Sequence, residues 1–411
     1  MIGRHHSFAE WAWMMALVTW PSLAAVVNAT ERAPASEATA TDPYLKAAGA
    51  SSAPLRFVAA PGSPVRVGGS PNDIVTADLN GDGMPDLVAP NGGTSAVSVL
   101  LGDGHGGFSL GPGSPLLVLF PPHLAVVGDV DNDGKPDLIV SGHDSHGVSM
   151  WLGDGTGRFQ SVAGSPFPAL SGGRPHNHGL ALGNLDGDGD LDVATTDDQA
   201  HVVAVLLGDG KGGLHPAPRS PFAVGRQPYP LALGDVNGDA RLDLMTPNVE
   251  SGNLSILLGD GRGAFTPAKG TPIRVLARPY FVALGDLDGD GKLDAVTSHD
   301  DDTRVTVLLG DGRGGFRPAA GSPLDIGRRS WKVVLHDMDR DGTTDLVLAA
   351  GGVVAVMLGD GRGRFAPAPG SPFPVGRGAW SVAVRDFDGD GRTDFATADL
   401  ESGTISALLQ D

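Results

Sequence analysis

The sequence predicts an all-β chain, a seven-bladed β-propeller with four strands in each blade. Three observations carry that expectation. An acidic motif recurs seven times, its first ligand positions at residues 78, 129, 184, 235, 286, 337 and 386, at steps of 51, 55, 51, 51, 51 and 49. Each interval holds four short apolar segments bounded by Gly, Asp or Pro, and four short strands in about 50 residues make one propeller blade. The chain also stops at Ala407–Asp411 before a seventh outer strand, while residues 55–68 form a copy of that strand ahead of the first motif. Pairing the two joins first and last blades and removes an open edge. A linear solenoid would need polar caps rather than a displaced strand.

The elements follow in chain order. Arg4, His5 and His6 precede an apolar run from Trp11 to Val27, and Val27–Ala29 supplies small residues for cleavage. Residues 1–29 therefore have the form of an export signal. The alternative is an uncleaved anchor, for which a run of about 17 residues is short against the ~20 a span needs. Residues 30–54, rich in Ala, Thr, Ser, Glu and Pro, predict a flexible linker. Residues 55–411 predict the propeller. In the fifth unit, "YFVALGD", "LDAVTS", "RVTVLLGDG" and "GGFRPAAGSPLDIG" supply the first to fourth strands.

Composition narrows the function. With 48 acidic against 29 basic residues the net charge is −19, which excludes nucleic acid as a partner because phosphate affinity needs a basic surface. A hydrophobic content of 41% is enough for a core. The 62 glycines and 32 prolines demand frequent turns. Cysteine is absent, so disulfides, thiolate metal sites and cysteine nucleophiles are excluded.

The motif has the spacing D-x-[DN]-x-D-G-x-x-D. Its ligand positions are Asp78, Asn80, Asp82 and Asp86; Asp129, Asp131, Asp133 and Asp137; Asn184, Asp186, Asp188 and Asp192; and Asp235, Asn237, Asp239 and Asp243. The last three sets are Asp286, Asp288, Asp290 and Asp294; Asp337, Asp339, Asp341 and Asp345; and Asp386, Asp388, Asp390 and Asp394. Oxygens at positions 1, 3, 5 and 9, with a backbone carbonyl at 7, make a hard shell suited to calcium, and up to seven structural ions are expected. A divalent ion neutralises carboxylates that would otherwise repel. Position 12 is apolar, as at Ala89 and Val140, so these are strand-to-strand loops rather than EF-hands, which end in a bidentate Glu. Ala240 replaces the position-6 glycine of the fourth loop, and a non-glycine residue at positive φ costs roughly 1–2 kcal/mol. Seven ions would add +14 to −19, leaving −5.

These units resemble the FG-GAP/VCBS repeat of integrin α heads and exported bacterial proteins, on text such as "GDLDGDGKLDAVTS…VTVLLGDGRGGF" over residues 55–411. The resemblance implies a seven-bladed propeller with calcium between the first two strands of each blade. It also implies metal loops on one face and ligands met on the other.

On that other face the first strands begin. Six residues before each first ligand stand Asn72, His123, His178, Tyr229, Tyr280, Trp331 and Trp380. Aromatics with hydrogen-bonding tips, near Arg and His, suit a glycan or peptide site. The same rings also suit packing between blades. His123, His178, Tyr229, Tyr280, Trp331 and Trp380 are the candidate ligand residues. The loops after the second strands add Asn91, His143, Asp197, Asn248, His299 and Asp399. A rival enzyme reading would use His176, His178 and Asp197 as acid and base. No G-x-S-x-G elbow or H-E-x-x-H helix supports it. The expectation is a secreted or envelope-bound monomer, a binding or adhesion module for carbohydrate or protein. A structural matrix protein is the alternative.

Overall fold

The structure is a computed structural model that describes residues 54–170 and 176–411. The expected signal and all but the last residue of the linker lie outside the described residues. The described residues form seven antiparallel sheets and no helix. Blade 2 shows the pattern. Its first three strands are Pro122–Gly128, Asp137–Gly142 and Gly147–Gly153, and its outer strand comes in two pieces, Phe159–Ser161 and Phe167–Pro168. Both pieces pair with the third strand.

The break in the outer strand has a local cause. A "GSP", "GTP" or, in blade 3, "RSP" turn bulges out there, and its hydroxyl replaces the missing backbone acceptor. In all seven blades a third-strand N–H donates to that oxygen at 2.9 Å, as Val99 does to Ser114 Oγ and Ala407 to Ser63 Oγ.

Closure occurs as the displaced strand predicts. Phe57–Ala59 pairs with Leu408–Gln410, and Val65–Arg66 with Thr404–Ile405, so the N-terminal segment completes blade 7. Apolar residues run almost without interruption along the second and third strands because both faces of each sheet pack against neighbouring sheets, with Leu87, Leu124, Leu180, Leu231, Val282, Leu346 and Phe395 fully buried. A cavity of about 310 Å³ runs along the axis, lined by first-strand residues including Ile74, Phe281, Val333 and Val382.

The "LGDGxG" turns join the blades. The second turn glycine of one blade donates its N–H to the position-2 carbonyl of the acidic loop in the preceding blade. Gly157 bonds Leu79 O at 3.1 Å, Gly314 bonds Val236 O at 2.9 Å, and Gly106 bonds Phe387 O at 3.0 Å across the closing seam. The glycine-rich turn therefore grips a protein carbonyl, which explains its spacing without a nucleotide.

Candidate functional site

The acidic loops lie at one end of the sheets. The ninth position anchors each of them. Its aspartate is fully buried in every loop. One oxygen accepts the position-2 N–H, and the other accepts the N–H at the end of the third strand. All fourteen contacts measure 2.6–3.0 Å. Burial pushes the Asp86, Asp137, Asp192, Asp243, Asp345 and Asp394 carboxyls up to about 6, against the pull of these N–H donors.

The first ligand position caps its own loop. Asp286 Oδ1 accepts from Gly289 N and Oδ2 from Gly291 N, at 2.8 and 2.9 Å. Position 6 has positive φ in all seven loops, including Ala240 at 62°. Position 4 does too, a demand the sequence reading missed: Asn132 and Arg340 hold it at 60° and 61°. Asparagine tolerates that conformation, whereas arginine is strained by it.

The donor set fits a hard divalent cation. Asp129, Asp131 and Asp137 bring carboxylate oxygens within 4.8 Å of one another, as do Asp286, Asp288 and Asp290, and Asp337, Asp339 and Asp345. Asp288 Oδ1 is buried and has no hydrogen-bond partner. In some loops a position-7 cation already faces the position-5 carboxylate, as Lys292 Nζ does Asp290 Oδ2 at 2.5 Å and Arg392 does Asp390 at 2.6 Å. Those loops need less charge from an ion than their four carboxylates suggest.

At the other end the register six residues before each first ligand converges on the axis. Ring centres run His123–His178 at 5.1 Å, His178–Tyr229 at 4.3 Å and Tyr229–Tyr280 at 4.8 Å. Tyr280–Trp380 follows at 6.2 Å and Trp380–Trp331 at 4.3 Å. A β-bulge falls at this register in blades 2, 3, 5 and 7, where His123, His178, Tyr280 with Phe281, and Trp380 break the ladder. Bulges re-aim side chains, and here they turn the rings toward the axis. Four of the six candidates, His123, His178, Tyr229 and Tyr280, are fully buried. Burial drives both tyrosine phenols upward. Trp331 and Trp380, stacked and partly exposed, are the members that a partner can reach.

Of the residues expected in the loops after the second strands, Asn91, Asp197, Asn248, His299 and Asp399 are instead the last residues of those strands, and they divide into two kinds. Asn91, Asn248, His299 and Asp399 face inward to the third strand, bonding Ser98, Ser255, Thr306 and Ser406, each seven residues on. Asp197 accepts from Gln199 N and Ala200 N of its own turn. The partner of His176 is Asp198, not Asp197: Nδ1 lies 2.7 Å from Asp198 Oδ1. Second strands end at Gly142 and Asp197, so the next residues, His143 and Asp198, are the ones that reach the mouth. The equivalent Asp300 pairs with Arg278 through its Oδ2.

Blades 2 and 3 thus place four imidazoles together. His143 lies 5.1 Å from His123, 5.0 Å from His178 and 3.8 Å from His176, centre to centre. Burial, with neighbouring imidazoles adding to it, holds His123 well below the ordinary imidazole range and His143 down to about 3. Burial also lowers His178, against the hydrogen bond to Asp198. Burial alone would raise the Asp198 carboxyl, but His176 and His178 outweigh it and hold it low.

A model of the FG-GAP-like repeat matches residues 78–140, 129–195, 184–246, 248–297, 286–348 and 337–397, each span running through an acidic loop. No curated protein was found to match. Solved propellers share the fold at low identity. BBS1N in complex with ARL6DN is 13% identical, with a TM-score of 0.58 over 84% of this chain and 94% of that one. An Agrocybe aegerita lectin that recognises non-reducing terminal N-acetylglucosamine is 20% identical, with a TM-score of 0.53 over 80% and 86%. A virginiamycin B lyase from Staphylococcus aureus is 11% identical, with a TM-score of 0.52 over 86% and 98%.

Proposed function

The chain belongs to the FG-GAP-like repeat family, and from that premise we propose an exported, calcium-stabilised β-propeller that binds a carbohydrate or protein at its axial mouth. The observation that carries the reading is the stacked, partly exposed Trp331–Trp380 pair at the end opposite the acidic loops. Flat aromatic faces beside hydrogen-bonding groups suit a sugar ring or a peptide side chain. Propellers of this shape include one in complex with a protein, ARL6DN, and one that recognises N-acetylglucosamine. Calcium would sit on the loop carboxylates and neutralise them. Because the position-2 carbonyl of six of the seven loops receives the next blade's glycine N–H, and that of the sixth loop receives Gln410 Nε2, an ordered loop also holds the seam between blades. Residues 1–29 would direct export.

The test is a glycan array and a surface-protein panel probed with the full chain in calcium, beside the Trp331→Ala/Trp380→Ala variant. Binding that disappears in a variant with an unchanged melting temperature supports the reading. Binding that survives both substitutions overturns the assigned mouth.

A further inference from the structure

We propose that His123, His143 and His178 form a binding site for a divalent transition-metal ion, zinc by preference, at the axial mouth between blades 2 and 3. Their ligand nitrogens lie within 4.8 Å of one another. The three ring centres form a nearly equilateral triangle of 5.1, 5.1 and 5.0 Å. A tetrahedral ion about 2.1 Å from each nitrogen would set the ring centres roughly 5 Å apart. The three rings meet edge-on, at 89°, 75° and 77°.

Two buried nitrogens have no hydrogen-bond partner, His143 Nε2 and His178 Nδ1. His178 is fully buried. An imidazole nitrogen left there without a partner carries a desolvation cost that a metal ion removes. The surrounding groups orient the rings as partners behind a metal do. His178 Nε2 lies 3.5 Å from Asp198 Oδ2 and 2.7 Å from His176 Nδ1. Both contacts engage Nε2, which leaves Nδ1 as the unpartnered nitrogen of His178. His123 Nδ1 lies 3.3 Å from the Asn177 carbonyl, a contact that orients the ring.

Nitrogen donors separate this site from the acidic loops. Imidazole suits zinc, copper or nickel, whereas calcium and magnesium take oxygen. Three protein ligands leave a fourth position for water or for an oxygen of whatever docks at the mouth. Among the described residues the site is a feature of blades 2 and 3: the same register holds Asn72 in blade 1 and Tyr229, Tyr280, Trp331 and Trp380 in blades 4 to 7.

The experiment is a calorimetric titration of Zn²⁺ into the full chain, without a polyhistidine tag, in excess Ca²⁺. One equivalent should bind despite the calcium. His143→Ala, at a partly exposed position, should weaken it at least ~100-fold, and Asp198→Asn by about 10–100-fold. Co²⁺ in place of Zn²⁺ should give the intense visible absorption of a four-coordinate ion, bleached on adding Zn²⁺. Absence of stoichiometric zinc binding overturns the site. So does binding that is equal in wild type and His143→Ala, or that calcium displaces, since either places the zinc on the aspartate loops or elsewhere.

Discussion

Lys332→Met should cost about 3–5 kcal/mol of stability, because it breaks an ion pair that closes the ring from inside. Lys332 Nζ lies 2.9 Å from Asp73 Oδ1, and the two side chains are 6% and 0% exposed. The ammonium also bonds Ile74 O and Ser381 Oγ, both at 3.2 Å, and Ser381 Oγ donates to Asp73 Oδ1 at 2.7 Å. Blades 1, 6 and 7 are thereby tied together at the axial cavity, which Lys332 itself lines. Methionine preserves the volume and removes the charge. Asp73 is then a buried carboxylate with no cation, and its Oδ2 already lacks a partner. Coulomb energy at ~3 Å is several kcal/mol even at an effective dielectric of about 20, so the loss exceeds any surface pair. Asp73→Asn alone should cost a similar amount by stranding the ammonium. The Asp73→Asn/Lys332→Met double variant should lie closer to wild type than either single change, since neither charge remains to be paired. The assay is urea unfolding in saturating calcium, with unchanged m-values as the control. A loss below ~1 kcal/mol for Lys332→Met would refute the reasoning, because it would mean that water reaches the pair.

The other predictions concern the loops and the buried histidines. Chelation should lower the melting temperature sharply, since each independent site at ~1,000 times its Kd contributes about 4 kcal/mol, and an unchanged melt in EDTA would remove calcium from the account. Ala240→Gly relieves a backbone at φ 62° and should stabilise the fourth loop by up to about 1 kcal/mol, read as a rise in urea midpoint. His299 should contribute acid sensitivity. Burial lowers it from 6.5 to about 4, so it is neutral in the fold and protonates more readily when unfolded. Its contribution is fully present above pH ~6.5 and is lost as pH falls toward 4, up to about 3 kcal/mol. His299→Asn, copying Asn91 and Asn248, should flatten that part of the stability-versus-pH curve relative to wild type. An unchanged curve would mean that the imidazole stays hydrated in the fold.

What the sequence made legible was whatever the repeat imposes on every blade. The motif at 286–294 places a loop between two strands because glycine and aspartate cannot continue the ladder, and six further copies fix the number of blades. The displaced strand at 55–68 gave the closure for the same reason. Position 4 of the loops escaped notice because glycine fills it in some copies and Asn132 or Arg340 in others, so composition alone did not mark the positive φ. The exchange of Asp197 for Asp198 has a different cause. Counting from the motif assumes an unbroken ladder, whereas the strand ends at Asp197 and the bulge at His178 turns the facing residue inward. Lys332 and Asp73 share a register that holds Leu124, Gly179, Pro230, Phe281 and Ser381 in the other blades, and the sequence reading passed over both charges. Their pairing depends on ring closure over 259 residues, which no local pattern encodes.

The two ends of the propeller differ in what they repeat. At the acidic end, the ninth-position aspartate makes the same two backbone contacts in all seven blades, which is what a fold-holding element requires. At the mouth no such constancy holds. Blades 2 and 3 present imidazoles, blade 5 an Arg278–Asp300 pair, and blades 6 and 7 the Trp331–Trp380 stack. Plugging the axis needs bulk, and one aromatic used throughout would provide it. Three distinct chemistries around one ring would instead give the proposed partner different contacts in each sector. The buried members, His123, His178, Tyr229 and Tyr280, then serve as the floor that fixes the rim. A tryptophan substitution should therefore change binding with little effect on folding, whereas Tyr229→Ala should unfold the axis by removing a fully buried ring, at ~3–5 kcal/mol. Equal stability losses for Trp331→Ala and Tyr229→Ala would show the whole ring to be packing and leave the mouth without a recognition surface.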